Sequence, residues 1–320
     1  MRLSFTISRF NPETDTQPRT ESFRLDVGRG TTVLDALLRL KQEQDGSLAF
    51  RHSCRSAICG SCAMDINGSE KLACRTSVWT EWERHSAITV APLRNFPVIK
   101  DLVVDMSSFW GKIRDITPWL SASTQRQASE LQGLRSSASG FHNVDACIMC
   151  GACVAACTVL EVSKGFLGPA ALAKADRFMA DAREPAAARQ GRLMVLEQPD
   201  GIWDCTRCNY CVEVCPKDVR PMEAIIRLRR AALDAGMTAT GGARHITGFT
   251  DLIRSQGRLN EALMPLKIVG LRLTQVLRVL PLGLAMLRRG KVPNPFGHAI
   301  PGMASVRQIF AATSRTAGRS

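Results

Sequence analysis

The chain has 320 residues, 45% of them hydrophobic, which is enough for two or three packed domains. Its formal net charge is +13, and residues 225–320 hold 15 Lys and Arg against 3 Asp and Glu, which leaves 27 against 26 for the rest. A basic segment first suggests nucleic acid, but this one lacks interleaved aromatic residues and a binding motif, so we expect no nucleic-acid partner. We find no secretory signal and no uncharged apolar run of about 18 residues, so we expect any membrane contact to be peripheral.

The N-terminal elements are those of a small mixed domain. Residues 3–8 and 22–27 alternate between apolar and polar side chains, which predicts two strands joined as a hairpin at a sheet edge. Thr31 or Thr32 can cap a helix over 33–44, where apolar residues recur on one face. Residues 88–91 have the pattern of a closing strand.

A first cysteine set follows the predicted helix with the spacing C-x4-C-x2-C and a distant fourth cysteine. This is the spacing that plant-type ferredoxins use to bind a [2Fe–2S] cluster. Gly60 lies between two of the ligands, where the backbone must wrap closely and can need a positive φ. Backbone amides and the serines at 53, 56 and 61 can donate hydrogen bonds to sulfur. The predicted ligands are Cys54, Cys59, Cys62 and Cys74.

A second pattern, C-x2-C-x2-C-x3-C, occurs twice between residues 147 and 216, and the second copy ends in Cys215-Pro216. Bacterial two-cluster ferredoxins have this spacing, and the fourth cysteine of each run binds the other cluster. One predicted [4Fe–4S] set is therefore Cys147, Cys150, Cys153 and Cys215. The other predicted set is Cys157, Cys205, Cys208 and Cys211. Zinc is the serious alternative, because paired CxxC is also zinc spacing, and unliganded thiols or disulfides are a weaker one.

Several motifs resemble the iron–sulfur subunit of succinate dehydrogenase and fumarate reductase. The resemblance covers about residues 1–235 and is specific in its cysteine motifs. It is carried by residues 9–13 (Arg-Phe-Asn-Pro-Glu), 33–37, 50–55 (Phe-Arg-His-Ser-Cys-Arg), 59–64, 72–74, 97–106, 168–172 and 177–178.

The resemblance implies an α+β fold with a β-grasp plant-type ferredoxin domain over 1–105 and a helical two-cluster ferredoxin domain over 106–235. Residues 236–320 lie beyond the resemblance and are expected to form a basic helical extension. The resemblance also implies docking on a flavoprotein subunit that carries FAD and oxidises succinate or reduces fumarate. The expected location is peripheral, at the cytoplasmic face of the inner membrane.

Cys208 is one departure from the family pattern. Common members lack this cysteine and hold a [3Fe–4S] cluster, whereas a fourth thiolate can complete a second [4Fe–4S] cluster of lower potential. The other interpretation is that Cys208 is a small apolar residue beside a three-iron cluster, and spacing alone leaves both open.

The expected quinone pocket is the other departure. Common members have Pro and Trp after the cysteine that matches Cys157 and His after the one that matches Cys205. Here residues 158–162 (Thr-Val-Leu-Glu-Val) and Thr206 take those places, and they supply neither an aromatic wall nor a donor for a quinone carbonyl.

The C-terminal extension has a shorter and weaker resemblance of its own. Residues 244–245, 257–261 and 287–291 resemble the small iron–sulfur subunit of heterodisulfide reductase, which passes electrons to a subunit with CCG motifs. The partner is accordingly a membrane-anchor subunit or a CCG-domain subunit. The basic apolar stretch over 263–289 can dock a partner, lie on an anionic membrane or form a solvated helix.

The remaining segments predict helices. Apolar residues recur at helical spacing over 98–110, residues 121–140 read as a polar helix or linker, and helices are expected over 170–183, 185–196 and 221–235. The arginines of the last helix are expected to face solvent or a partner. The five histidines are scattered and are expected to be structural, and no nucleophile–base pair or phosphate loop is present.

The sequence therefore predicts an electron-transfer subunit with three clusters and no substrate chemistry of its own. An alternative is a carrier that takes electrons from another flavin dehydrogenase to a CCG subunit.

Overall fold

The computed structural model describes residues 1–121, 141–270, 273–291 and 299–317. The polar stretch predicted over 121–140 therefore lies almost entirely outside the described residues, as does His298. The chain forms two compact units, Met1–Ala231 and Ala232–Ser320. The first unit contains all twelve cysteines. The division of that unit near residue 105 stays a prediction.

A five-stranded sheet of order β2-β1-β5-β3-β4 forms the N-terminal part of the first unit. Its strands are β1 (Arg2–Arg9), β2 (Arg19–Asp26), β3 (Ala63–Ile66), β4 (Ser69–Leu72) and β5 (Ile88–Ala91). β1 pairs with β2 along its whole length as an antiparallel hairpin, and with β5 in parallel. The predicted edge hairpin and closing strand are thus confirmed. Alternate side chains of β1 are buried, as the sequence alternation requires.

Helix α1 (Val33–Glu43) packs on this sheet with Val33, Leu34, Leu37 and Leu40 buried. Thr32 is the N-cap of α1. The Thr32 hydroxyl accepts a hydrogen bond from the Asp35 amide, and the Asp35 carboxylate accepts one from the Thr32 amide. This capping box satisfies two backbone donors that a helix N-terminus leaves open. A shorter helix, α2 (Val78–His85), links β4 to β5.

Arg9 at the end of β1 is buried and joins three acidic side chains. Its Nε donates to Asp101 Oδ1 (3.1 Å), and one terminal nitrogen donates to Glu21 (2.7 Å) and to Asp45. Asp101 also accepts from the amides of Phe10 (3.0 Å) and Ala49 (2.8 Å). A buried arginine needs such compensation, so this network fixes the loops around the sheet edge.

Residues 98–110 differ from the prediction. They form a two-stranded ladder, β6 (Val98–Lys100) and β7 (Val103–Val104), and helix α3 begins only at Ser107 and ends at Asp115. Asp101 lies in the turn between the two strands with φ 47°. This left-handed value is incompatible with a continuous α-helix over these residues. Short apolar runs do not distinguish strand from helix by periodicity.

The rest of the first unit is helical, which confirms the α+β class. Two single-turn helices, α4 (Ala152–Ala155) and α5 (Thr158–Val162), precede α6 (Pro169–Met179) and α7 (Ala186–Leu196), which Gly191 does not interrupt. A further single turn, α8 (Tyr210–Glu213), leads to α9 (Pro221–Asp234). Ile225 and Leu228 of α9 are buried, whereas Ile226 is exposed.

The second unit contains α10 (Gly241–Gln256), α11 (Met264–Val269), α12 (Leu273–Arg288) and α13 (Met303–Ala317). Pro265 opens α11, whereas Pro281 lies inside α12 and does not end it. Within the described residues, no helix has the length and apolar character needed to cross a membrane.

Candidate iron–sulfur centres

The loop before β3 wraps around the sulfur of Cys54. The amides of Ser56, Ile58 and Cys59 lie 3.3–3.4 Å from Cys54 Sγ and donate to it. The backbone is left-handed at Arg55, at Ala57 and at Gly60, whose φ of +75° is the positive value predicted for it. Amide groups that converge on sulfur stabilise a thiolate ligand and raise the potential of the centre it holds.

The other three cysteines of this set lie beside the same loop. Cys74, just after β4, accepts from the Ala57 amide (3.3 Å). Burial, together with repulsion from the neighbouring thiolates of Cys74 and Cys59, raises the pKa of Cys62 to about 12. A hydrogen bond from Ser61 lowers the pKa of Cys59, which is exposed, to about 6. The structure therefore brings together the four sulfurs that the spacing predicts.

The two later cysteine runs adopt the same backbone. Each first cysteine follows a short 3-10 turn, with φ and ψ of −62° and 120° at Cys147 and −63° and 122° at Cys205. Left-handed values recur at Met149 and Arg207, and again at the residues that cap the single-turn helices. Those caps are Gly151 (φ 83°, ψ −7°) before α4 and Asn209 (φ 72°, ψ −7°) before α8.

One cavity is lined by all four cysteines of the first predicted [4Fe–4S] set, namely Cys147, Cys150, Cys153 and Cys215. Burial raises the pKa of Cys150 to about 11 and that of Cys153 well above its ordinary value, and repulsion from the other thiolates of the set adds to both shifts. The Val219 amide donates to Cys215 Sγ (3.3 Å). The fourth cysteine of the second run thus joins the first run, as the ferredoxin pattern predicts.

The second set is also brought together. Burial, together with the nearby thiolates of Cys205, Cys208 and Cys157, raises the pKa of Cys211 to about 12. Burial and the thiolates of Cys208 and Cys205 likewise raise the pKa of Cys157. The Thr158 hydroxyl lies 3.7 Å from Cys208 Sγ and donates to it. Cys208 is exposed, whereas Cys157 and Cys211 are buried.

The loop that contains Cys54, Cys59 and Cys62 touches the loop of the first later run directly. A Cβ atom on Gly60 would lie 2.8 Å from Cys150 Cβ and 3.0 Å from the Ile148 carbonyl oxygen, so no side chain fits there. A Cβ atom on Gly151 would lie 3.2–3.5 Å from side-chain atoms of Phe96, Met106 and Leu93. Gly60, in the loop of the Cys54 set, therefore packs closely against Cys150 of the next set.

Two side chains that the sequence did not single out hold the later runs in place. Asn95, with φ 64°, donates from Nδ2 to the carbonyls of Val154, Ala155 and Cys157, each at 3.0 Å. Buried Arg229 of α9 donates to the carbonyls of Ile202 (2.7 Å), Trp203 (3.0 Å) and Cys205 (2.7 Å).

The prediction that the α9 arginines face solvent or a partner is therefore wrong for Arg229. It is also wrong for Arg227, which bonds Asp176 on α6 (2.6 Å). The local pattern of α9 could not show this, because the acceptors are carbonyls and a carboxylate on distant segments.

Several residues at or near the positions that depart from the family pattern are exposed. Val162 is 91% exposed, Thr206 and Arg207 are exposed, and the only tyrosine, Tyr210, is about half exposed. Among the described residues, no group of three or more His, Cys, Asp or Glu is arranged to hold a single metal ion. An iron–sulfur cluster distributes its ligands around several atoms and requires a different arrangement of sulfurs.

Comparison with known proteins gives two family matches. Residues 4–111 match the family described as a 2Fe-2S iron-sulfur cluster binding domain, and residues 143–219 match the 4Fe-4S dicluster domain. The fumarate reductase iron–sulfur subunit of Mycobacterium tuberculosis is 39% identical over 72% of this chain and 93% of its own length.

Two further relatives extend this similarity. The 8-methylmenaquinol:fumarate reductase iron–sulfur subunit of Wolinella succinogenes is 33% identical over 98% of this chain and 99% of its own. A solved structure titled as the Mycobacterium smegmatis Sdh1 complex in the apo form contains a chain of similar fold. The TM-score is 0.66 at 27% identity, over 73% of this chain and 96% of that one. The chain therefore belongs to the family of iron–sulfur subunits of fumarate reductase and succinate dehydrogenase, which serve electron transfer in an oxidoreductase complex.

Proposed function

We propose that this chain relays electrons through one [2Fe–2S] and two [4Fe–4S] clusters, held by the three cysteine sets described above. The observation that carries the proposal is the matched backbone of the two later runs. Cys208 occupies the position in the second run that Cys150 occupies in the first. The residues directly before and after each of these two cysteines are left-handed. Bound clusters supply one-electron transfer, and the protein contributes position, burial and hydrogen bonds to sulfur.

We propose that the electron donor and acceptor sites are on other subunits. A flavoprotein carrying FAD would interconvert succinate and fumarate, with its electrons entering at the Cys54 set and leaving at the Cys157/Cys205 set. Exposed Cys59 and Cys208 support this order, because they bring the first and last sets to the surface. The complex would lie peripherally at the cytoplasmic face of the inner membrane.

The identity of the last partner is a finer part of the proposal. Thr206 and Arg207, which precede Cys208, are not aromatic, and exposed Tyr210 supplies one ring two residues after it. A single exposed ring does not enclose a quinone, which favours an acceptor site on a partner, either a membrane anchor or a CCG-domain subunit. The full-length match to a subunit named for 8-methylmenaquinol supports a quinone-linked complex with the same C-terminal extension. Transfer from a different flavin dehydrogenase to a CCG subunit is the second candidate, and a succinate-binding flavoprotein copurifying with the chain would exclude it.

Iron and sulfide counting with EPR tests the cluster assignment on anaerobically purified chain. We expect about ten irons, the sum of one two-iron and two four-iron clusters. Cys208→Ser should lower the count to about nine and give the signal of an oxidised three-iron cluster, whereas the neighbouring Thr206→Ser should change neither. Nine irons in the unmodified chain would show that Cys208 is not a ligand, and zinc without visible absorption would overturn the relay.

A further inference from the structure

Helix α12 in the second unit exposes an unusual number of large apolar side chains. Six large apolar side chains from position 277 onward are between 37% and 64% exposed: Leu277, Leu280, Leu282, Leu284, Met286 and Leu287. Single exposed leucines need no explanation, but six along three turns of one helix indicate an interaction surface. The relay proposed above uses none of them.

The charge around this helix has one sign only. Residues 262–320 contain nine Lys and Arg and no Asp or Glu. Three of these cations, Arg288, Arg289 and Lys291, are exposed and follow the apolar stretch directly. A second copy of the same unit would be repelled by this charge, so the surface is complementary to an anionic partner and not to itself.

The width of the apolar surface distinguishes between a lipid bilayer and a single protein neighbour as the partner of α12. At about 100° per residue, the six apolar side chains cover an arc of roughly 220°, with Arg288 just beyond one edge and Arg289 just beyond the other. A helix that packs on one protein neighbour needs a stripe of roughly 100°. A helix half immersed in a bilayer surface buries a broader face and keeps its cations at the headgroups.

The length of α12 fixes how it can meet a bilayer. Its 16 residues extend roughly 24 Å at about 1.5 Å each, which is less than the roughly 30 Å of a hydrocarbon core. A helix of this length and charge lies in the plane of the interface. We propose that α12, with Arg288, Arg289 and Lys291, binds directly to the surface of an anionic phospholipid bilayer. This proposal is independent of cluster type and of the electron acceptor.

Vesicle flotation of the full cluster-loaded chain tests it. We expect the chain to float with vesicles of equal parts phosphatidylglycerol and phosphatidylcholine, and to stay at the bottom with phosphatidylcholine alone. Raising the salt concentration should release it, because exposed charges are screened. Absence of flotation with the anionic vesicles overturns the proposal, including the case in which a copurifying subunit binds α12 instead.

Two variants separate the apolar and ionic contributions. The double change Leu280→Asp and Leu284→Asp should lower vesicle partitioning at least about tenfold, because it places two carboxylates in the apolar face. Neutralising the cations with Arg288→Gln, Arg289→Gln and Lys291→Gln should lower it about 100-fold, at about 1 kcal/mol for each charge near an anionic surface.

A matched control uses the exposed apolar pair on α7 in the first unit. Met194→Asp with Val195→Asp changes two residues of similar exposure, 54% and 44%, and should leave partitioning unchanged. Iron content and visible absorption of each variant report whether it has kept its fold. Equal partitioning of the α12 variant and the unmodified chain, or an equal loss in the α7 control, would contradict the assignment.

Discussion

Gly60 combines two requirements that only glycine meets. Its φ of +75° disfavours any side chain, and a Cβ atom would collide with Cys150 Cβ at 2.8 Å. Gly60→Ala should therefore lower the free energy of unfolding by about 1 kcal/mol from backbone strain and by about 1–3 kcal/mol more from overpacking. Because the collision forces the two loops apart, electron transfer between their centres should also slow. Denaturant unfolding and rapid-freeze EPR measure the two effects.

Gly68 is a matched control for this prediction. It has φ +77°, and a Cβ atom there would meet no atom within 4 Å. Gly68→Ala should therefore show the strain of about 1 kcal/mol alone, with electron transfer unchanged. If the two substitutions had equal effects, the contact between Gly60 and Cys150 would have no role in holding the loops together.

Single residues differ in how much of their role a sequence reveals. The cysteine sets and the positive φ of Gly60 could be predicted, because ligand spacing and loop closure are local constraints. The bonds from Asn95 to three carbonyls some sixty residues away could not, because no local pattern marks a long-range hydrogen bond. The same holds for buried Arg229, because the composition of α9 suggested that its arginines form a solvated face.

Among the elements, the β6–β7 turn is tied to the sheet through Asp101. This carboxylate is 2% exposed and compensates the buried charge of Arg9, besides accepting two amides. Asp101→Asn preserves the shape and tolerates the left-handed φ. It removes the charge and also replaces one of the two acceptor oxygens with an NH2 donor, so one of the present hydrogen bonds to Asp101 is lost as well. We expect a loss of about 3 kcal/mol in the free energy of unfolding, measured by denaturant titration, because a buried cation loses one partner.

The exposed pair of Arg39 and Glu43 on α1 gives the comparison for Asp101. These side chains are 41% and 49% exposed and lie 3.0 Å apart. Glu43→Gln should change the free energy of unfolding by no more than about 0.5 kcal/mol, the range for surface pairs at this spacing. A similar small effect for Asp101→Asn would mean that Glu21 and Asp45 fully compensate Arg9.

The single-turn helices α4 and α8 depend on what the cysteines bind. Each has four residues, and an isolated helix shorter than roughly 12 residues is marginal in water. Removing the clusters with a chelator under reducing conditions should therefore open residues 143–219 to proteases. The sheet and α1 should persist, because they share a continuous apolar core. Limited proteolysis with mass spectrometry, against untreated chain, tests this, and unchanged cleavage would contradict it.

Element prediction succeeded where burial on one face dominated the pattern. The hairpin, α1 and α9 were located to within a few residues for this reason. It failed over 98–110, where apolar residues serve two short strands and then a helix, and where the turn at Asp101 is stabilised by Arg9 from a distant strand. Apolar periodicity could not distinguish these cases.

At the scale of the whole molecule, redox residues and charge are segregated. All twelve cysteines precede residue 216, and the span shared with the Mycobacterium tuberculosis relative is 72% of the chain. The basic C-terminal part is shared with the Wolinella succinogenes relative, whose match covers 98%. The extension therefore belongs to a subset of these relatives, and its removal should be separable from cluster binding.

A chain that ends after Asp234 tests this separation. It retains every cysteine, both family-matched spans and the whole of α9, so the bonds from Arg229 that hold the Cys205 run remain. Residues 235–320 carry 12 basic and 2 acidic residues, so the truncated chain has a net charge of +13 − 10 = +3. We expect unchanged iron content and visible spectrum, with much weaker retention on a cation exchanger.

The matched control ends before Pro221 and so also removes α9. It retains the twelve cysteines but loses Arg229 and the buried Ile225 and Leu228, so it should lose iron from the later runs while the [2Fe–2S] centre remains. If the longer truncated chain lost its clusters as well, the second unit would be required for their assembly. If the shorter one kept them, the carbonyl bonds of Arg229 would not be needed to hold the Cys205 run.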